Sequence, residues 1–328
     1  MYRSFFKLPR NPFSLTPDPF SFVGTTRHNE ALAALYHGVR QHKGFVVLTG
    51  EVGTGKTLLV RCLLQLLKES RDIAYAYLFN GKLAPGEFLP YVLSDFGLAA
   101  NGKSKYELLL DLGRFLSVRG ARKLTTVLIV DEAHHLSADI LEEVRLLSNL
   151  ETTDDKLLQI ILVGQPELDE KLDSFELRQL KQRIAVRTQL GALDDVETRQ
   201  YIGKRLQIAG AGQDSIQIFS DESVDAVYRH SHGLPRLINT ICENALIAAY
   251  ADRAPVVTAE HVLAVAREFR LDSPVSSSAL RADSNGQIEN QRAMKALLDL
   301  FSALREVAVA PHAGDPSVVR VNEDESII

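Results

Sequence analysis

One stretch constrains this 328-residue chain more than any other. GFVVLTG, a β-branched run ending in glycine, leads at once into Glu51-Val52-Gly53-Thr54-Gly55-Lys56-Thr57 and then into the helical spacing of LLVRCLLQLL. Gly50 to Thr57 satisfies GxxxxGK(S/T) between a predicted strand and a predicted helix, the context in which this pattern cradles phosphate. Glycines at such a bend turn successive backbone N–H groups inward at a helix N-terminus, making a nest of anion size. Gly50, Glu51, Val52, Gly53, Thr54, Gly55, Lys56, Thr57 and Leu58 are therefore the expected phosphate-binding segment. Lys56 is placed to reach the β- and γ-phosphates of ATP, and the Thr57 hydroxyl to ligate Mg²⁺.

A second segment fits the same chemistry. Val127-Leu128-Ile129-Val130 is a buried-strand pattern that ends in Asp131 and Glu132. Carboxylates there lie at the carboxyl edge of a parallel sheet, where open α/β folds bind ligands. Asp131 is expected to hold the Mg²⁺ and Glu132 to polarise the attacking water. The glutamate favours hydrolysis over binding alone. His134 and His135 follow, but neighbouring residues on a helix point about 100° apart, and no further Cys or carboxylate set suggests zinc. They read as helix-start residues.

Between and after these motifs, buried strand patterns (73–79, 125–130, 157–163, 184–190) alternate with helical ones (27–42, 56–67, 86–97, 104–119, 138–149, 175–182). That alternation predicts an αβα three-layer domain around a mainly parallel sheet. From Asp194 only helical patterns remain (194–209, 221–231, 235–250, 259–269), with Asp194, Asp221 and Thr258 as expected caps. The expected organisation is an extended, Pro- and Phe-rich arm over 1–26, a nucleotide-binding α/β domain over 27–192 and a small all-helical lid over 193–270. A linker, a short amphipathic helix at 288–309 and an unstructured tail fill 271–328.

Composition narrows the function classes. There are 37 Lys and Arg against 42 Asp and Glu, a net charge of −5, so no global basic field argues for nucleic acid. Cys62 and Cys242 are too few and too far apart for a disulfide scaffold or a thiolate zinc cluster, and read as reduced core thiols. No apolar run has the length of a membrane helix, and the N-terminus lacks a signal-peptide core. The expectation is a cytoplasmic protein, peripheral at the inner membrane only through a partner.

The segments FFKLPRNPFSLTPDPFSF, GFVVLTGEVGTGKTLLVR, LIVDEAHHL, ILVGQPEL, LRQLKQRI and HGLPRLIN, in that order, resemble the AAA+ ATPases of the initiator-like branch. Within that branch they are most similar to the general secretion pathway protein A (ExeA-like) ATPases and relatives found beside exopolysaccharide and exosortase loci. The resemblance implies a P-loop α/β domain with a helical lid, ATP and Mg²⁺ as ligands, and an ATP-dependent oligomer. It also implies roles for further residues. Gln165 falls in the sensor-1 region. Arg183 falls where a finger reaches a neighbour's γ-phosphate, with Arg178 as rival. Arg236, in HGLPR, matches sensor 2. Asn80 matches a polar switch that restrains the catalytic Glu, and Phe22, Val23 and His28 are candidates for the adenine end.

Two functions are compatible with this reading. The first is a motor for an envelope secretion, pilus or exopolysaccharide export assembly. It would lack the membrane helix and peptidoglycan-binding domain of some relatives, with residues 288–309 docking on a membrane partner or packing in cis. The second, less favoured, is a nucleic-acid-associated ATPase such as an initiator or TniB-like transposition regulator. Its basic pore segment would be 81–105, with Lys82, Lys103 and Lys105.

Overall fold

The computed structural model of the chain describes residues 1–79, 83–152, 155–212 and 218–271. Asn80, Lys82 and the stretch 288–309 lie outside those residues.

Five strands, β1 (Phe45–Gly50), β2 (Ile73–Leu78), β3 (Thr125–Val130), β4 (Gln159–Gly164) and β5 (Ile184–Leu190), form one sheet in the order β2-β3-β4-β1-β5. Every ladder in it is parallel. Strand side chains alternate between faces, so each central strand feeds two cores. Phe45 and Val47, Leu128 and Val130, and Ile160 and Leu162 point to one side, under α4 (Pro85–Asp95), α5 (Lys105–Ala121) and α6 (Ala138–Leu147). Val46 and Leu48, Val127 and Ile129, and Ile161 and Val163 point to the other, under α2 (Thr26–Arg40) and α3 (Lys56–Glu69). Burial on both faces explains why these strands read as continuous apolar runs.

The short helices α7 (Glu167–Leu172) and α8 (Arg178–Lys181) connect β4 to β5. The sequence pattern had indicated only one helix there, over 175–182. In α7 only Leu168 and Leu172 are apolar, too few for a periodic signal, yet both are fully buried.

Beyond β5, α9 (Asp195–Ile208), α10 (Asp221–Ser231), α11 (Pro235–Ala251) and α12 (Ala259–Glu268) enclose a separate core. Asp194 caps α9, accepting from the Glu197 N–H at 2.7 Å. The cap of α10 is Ser220 and not the expected Asp221, which lies inside the first turn.

The N-terminal arm belongs to this helical core. It begins with one helical turn, α1 (Tyr2–Phe5), and carries a 3₁₀ turn at Pro19–Ser21, so it is less extended than its prolines suggest. Phe6, Leu8 and Phe13 are buried in the lid core, and Tyr2 Oη donates to Glu243 of α11 at 2.8 Å. Arg205 of α9, 3% exposed, donates to the carbonyls of Pro12 (2.6 Å), Ser21 (2.9 Å) and Ser14 (3.2 Å). At the arm's far end Arg61 of α3 donates to Pro17 O at 2.6 Å. The arm therefore straps the lid to the α/β layer.

Candidate functional site

The order of the sheet sets the geometry of the site. With β4 between β1 and β3, the carboxyl ends of these three strands are neighbours, and each ends in a polar segment. After β1 the chain bends through Gly53 (φ +86°) and Gly55 (φ +101°) into α3, both in the left-handed region that favours glycine. A Cβ on Gly53 would lie 3.0 Å from Arg236 Cβ, and one on Gly55 would lie 3.2 Å from His28 Nε2. The loop is thus gripped from two sides, by the lid and by α2. Thr54 is fully buried and its hydroxyl donates to Glu51 O at 2.8 Å. Lys56 is 7% exposed, and its ammonium donates to Gly50 O (2.6 Å) and Glu51 O (2.9 Å). Burial lowers the Lys56 pKa, opposed by the nearby Glu132 and Asp131 carboxylates. Glu51 and Val52 are exposed, and Leu58 packs at the edge of the core under α2 and α3.

Asp131 sits directly beyond β3 and is 3% exposed. Burial raises its pKa. Two donors hold it, the Glu132 N–H at 2.9 Å and Tyr77 Oη at 3.1 Å, and the nearby Thr57 hydroxyl favours its ionised form. Glu132 itself has φ +53°. The other non-glycine residues in that region, among those described, are Lys7, His42, Lys123, His232, Arg253 and Arg270. All six are basic and follow helix ends, where a left-handed residue and a positive charge are both favoured. Glu132 has no such reason. Its strain re-aims an acid out of the strand, a pattern associated with functional positions. Its Oε2 is buried without a hydrogen-bond partner and lies 3.4 Å from His134 Nδ1.

Gln165, just past β4, reaches the same place. Its N–H donates to His134 Nδ1 at 3.4 Å. Lys171 of α7 donates to His134 O (2.6 Å) and Leu136 O (2.7 Å), fixing the turn after Glu132. His134 and His135 do not diverge as helix neighbours would. They lie in a 3₁₀ turn with ring centroids 4.0 Å apart.

The lid meets the loop through Arg236. Its N–H donates to Gly53 O at 3.1 Å, so the first turn of α11 rests on the glycine bend. The connection is tight behind it: Leu193 N–H donates to Gly233 O at 2.9 Å, and a Cβ on Gly233 (φ +71°) would lie 1.8 Å from Leu193 O. On the α2 side, His28 is 5% exposed, with Nδ1 bonded to Thr25 Oγ1 at 2.8 Å and Nε2 to Thr54 O at 2.9 Å. Burial lowers its pKa. Phe22 packs edge-on against the His28 ring, and Val23 is buried in the lid core.

The remaining candidates have partners of their own. Arg183 donates to Ser148 Oγ (2.5 Å) and Arg145 O (3.4 Å) at the end of α6. Arg178 stacks 3.9 Å over Phe175, whose ring is 80% exposed. Of the basic segment 81–105, Lys103 pairs with Asp111 at 2.7 Å and Lys105 with Glu143, so neither charge is free. Both cysteines are buried, and burial pushes the Cys62 thiol up to about 12. Sequence reasoning missed Tyr77, Lys171 and the arm-binding Arg205. For Tyr77 a signal existed, because alternation in β2 puts it on one face with Tyr75. The other two meet their partners only through tertiary contacts.

The donors suit a Mg²⁺–nucleotide phosphate group. The bend supplies two left-handed glycines and a buried ammonium, and Thr57 and Asp131 supply the hard oxygen ligands that Mg²⁺ prefers.

Comparison with known proteins agrees with this architecture. Residues 39–172 match the AAA domain family. General secretion pathway protein A of Aeromonas hydrophila is 45% identical over 252 residues, covering 76% of this chain and 45% of that protein. The chain thus spans less than half the length of that relative. Among solved structures, Drosophila ORC bound to DNA superposes with a TM-score of 0.60 at 23% identity, over 81% of this chain and 66% of that one. The Aeropyrum pernix ORC2 protein, in its ADPNP–ADP complexes, gives 0.59 at 17% identity, over 79% and 71%. At such identities these two establish the fold alone. Residues 39–172 thus carry an AAA domain with the P-loop fold, and over 76% of its length the chain resembles general secretion pathway protein A.

Proposed function

We propose that this chain hydrolyses Mg-ATP and uses the cycle to change the angle between its α/β layer and its helical lid. The observation that carries the reading is the meeting of Lys56, Thr57, Asp131, Glu132 and Arg236 at one glycine bend. The Gly53 and Gly55 bend and Lys56 bind the phosphates. Thr57 and Asp131 hold Mg²⁺, which when bound neutralises charge on the β- and γ-phosphate oxygens. Glu132 accepts a proton from the attacking water, and Gln165 orients that water or the γ-phosphate. Arg236 carries the state of the phosphates into α11 through its contact with Gly53. The lid–loop contact is short and direct, so a change at the phosphates has a path to the lid and, through Arg205, to the arm.

A finger in trans completes the site. Arg183 is the first candidate and must leave Ser148 to serve; Arg178, on an exposed ring, is its rival. Asn80 is proposed as the switch on Glu132. An oligomer assembled with ATP follows from a trans finger. The likeness to general secretion pathway protein A supports work on an envelope secretion or export assembly, with a membrane-bound partner. No helix among the described residues is long and apolar enough to cross a membrane.

Phosphate release measured over a range of protein concentrations tests this. The specific rate should rise with concentration, Lys56→Ala should abolish nucleotide binding, and membrane extract should stimulate turnover where DNA does not. A concentration-independent rate from a strict monomer would remove the trans finger. Stimulation by DNA would replace the export assignment with a nucleic-acid one.

A further inference from the structure

The turn after β3 brings Glu132 of the nucleotide site together with two histidines that the nucleotide site does not use. One ligand atom each from Glu132, His134 and His135 lies within 4.8 Å of the other two. Glu132 Oε2 and His134 Nδ1 are 3.4 Å apart. Donors about 2.0–2.1 Å from a tetrahedral Zn²⁺ sit about 3.4 Å from one another, so this pair already has the spacing, and only the exposed His135 has to swing. The turn is held in place. Lys171 anchors the carbonyls of His134 and Leu136, and the His135 N–H donates to Glu132 O at 3.0 Å, while the long 3.4 Å contact from the Gln165 N–H to His134 Nδ1 gives way when that nitrogen takes the ion. The Glu132 oxygen in the cluster is buried and lacks a hydrogen-bond donor.

We propose that Glu132, His134 and His135 bind one Zn²⁺-class transition-metal ion, and that this ion holds the Glu132 carboxylate as a ligand and stops ATP turnover. The binding part stands on this geometry; the inhibitory part rests on Glu132 being the base proposed above. Two imidazoles and one carboxylate select Zn²⁺, Ni²⁺ or Cu²⁺ over Mg²⁺, whose oxygen ligands lie separately at Thr57 and Asp131. The cysteines do not compete, since both thiols are buried. A carboxylate bound to the metal no longer takes a proton from water, while the phosphate nest around Lys56 is untouched. Zinc should therefore block hydrolysis and spare nucleotide binding.

The test titrates the chelator-stripped full chain with ZnCl₂ against a zinc-competing indicator dye, without nucleotide and with excess Mg²⁺. Wild type should take up one equivalent. His135→Ala, at an exposed position outside the nucleotide machinery, should weaken that uptake about tenfold or more, as should Glu132→Gln. Zinc-free His135→Ala should turn over ATP as wild type does, and its inhibition should need about tenfold more zinc or beyond. Absence of stoichiometric uptake, uptake unchanged in His135→Ala, or full turnover with zinc bound would each overturn the proposal. If zinc-free wild type does not hydrolyse ATP, the ATPase reading fails by itself, and the dye titration still decides the metal site.

Discussion

Replacing Arg205 by Ala tests whether the arm is a structural strap. The guanidinium is 3% exposed and donates to three arm carbonyls, at 2.6, 2.9 and 3.2 Å. Pro12, which accepts the shortest bond, is buried, while Ser14 and Ser21 are partly exposed. A hydrogen bond to a charged group contributes about 1.5–3 kcal/mol, and a buried acceptor left unsatisfied costs about 1–3 kcal/mol. The Pro12 carbonyl should therefore account for about 2–3 kcal/mol, and the two carbonyls that water can reach for about 0.5 kcal/mol each. The loss is then about 3–4 kcal/mol, concentrated in the arm and lid. Hydrogen exchange should show residues 6–14 and α9 opening together with that lower free energy. Trypsin should cut after Lys7 and Arg10 sooner, while the α/β layer keeps its protection. Arg205→Lys should fall between, since an ammonium lacks the planar fork that spans the carbonyls. A change below about 1 kcal/mol, with trypsin cleavage unaltered, would refute the strap.

Three further outcomes follow. Gly53→Ala places a Cβ at φ +86° and 3.0 Å from Arg236 Cβ; backbone strain of about 1–2 kcal/mol should weaken nucleotide binding roughly tenfold, and unchanged affinity in a fluorescent-nucleotide titration would contradict it. His28 is buried and its pKa is lowered, so protonation favours the unfolded chain, and its contribution is present above the ordinary imidazole pKa and lost as pH falls below it. At pH 5.5, about one unit under that value, stability should drop by at most about 1.4 kcal/mol more in wild type than in His28→Gln, read by urea denaturation. Tyr77→Phe removes the donor to Asp131 Oδ2; it should cost about 1 kcal/mol in thermal denaturation and change the Mg²⁺ concentration needed for turnover, and identical Mg²⁺ dependence would sever Tyr77 from the site.

What could be read from the residues alone were features with short-range causes. The glycine bend, the buried strands and the lid helices announce themselves through spacing, because backbone angles and alternate burial act over a few residues. The adjacency of Asp131, Gln165 and the bend follows from β4 lying between β1 and β3. Other features depend on contacts between distant segments. The arm's prolines and phenylalanines suggest an extended arm anchored by its Phe side chains, but that Phe6, Leu8 and Phe13 enter the lid core is decided by distant contacts. Two consecutive histidines looked divergent on helix geometry; a 3₁₀ turn pinned by Lys171 faces them together. That Arg183, the expected finger, is bonded to Ser148 depends on the packing of α6 against the start of β5.

In the proposed cycle Glu132 does chemistry while the surrounding loop does binding. Single-turnover cleavage of bound ATP, measured in wild type and Glu132→Gln beside nucleotide affinity, separates the two most directly. Glu132→Gln should bind ATP as tightly as wild type and cleave it about 10²–10⁴-fold more slowly. Cleavage at the wild-type rate in that variant would contradict that division of roles.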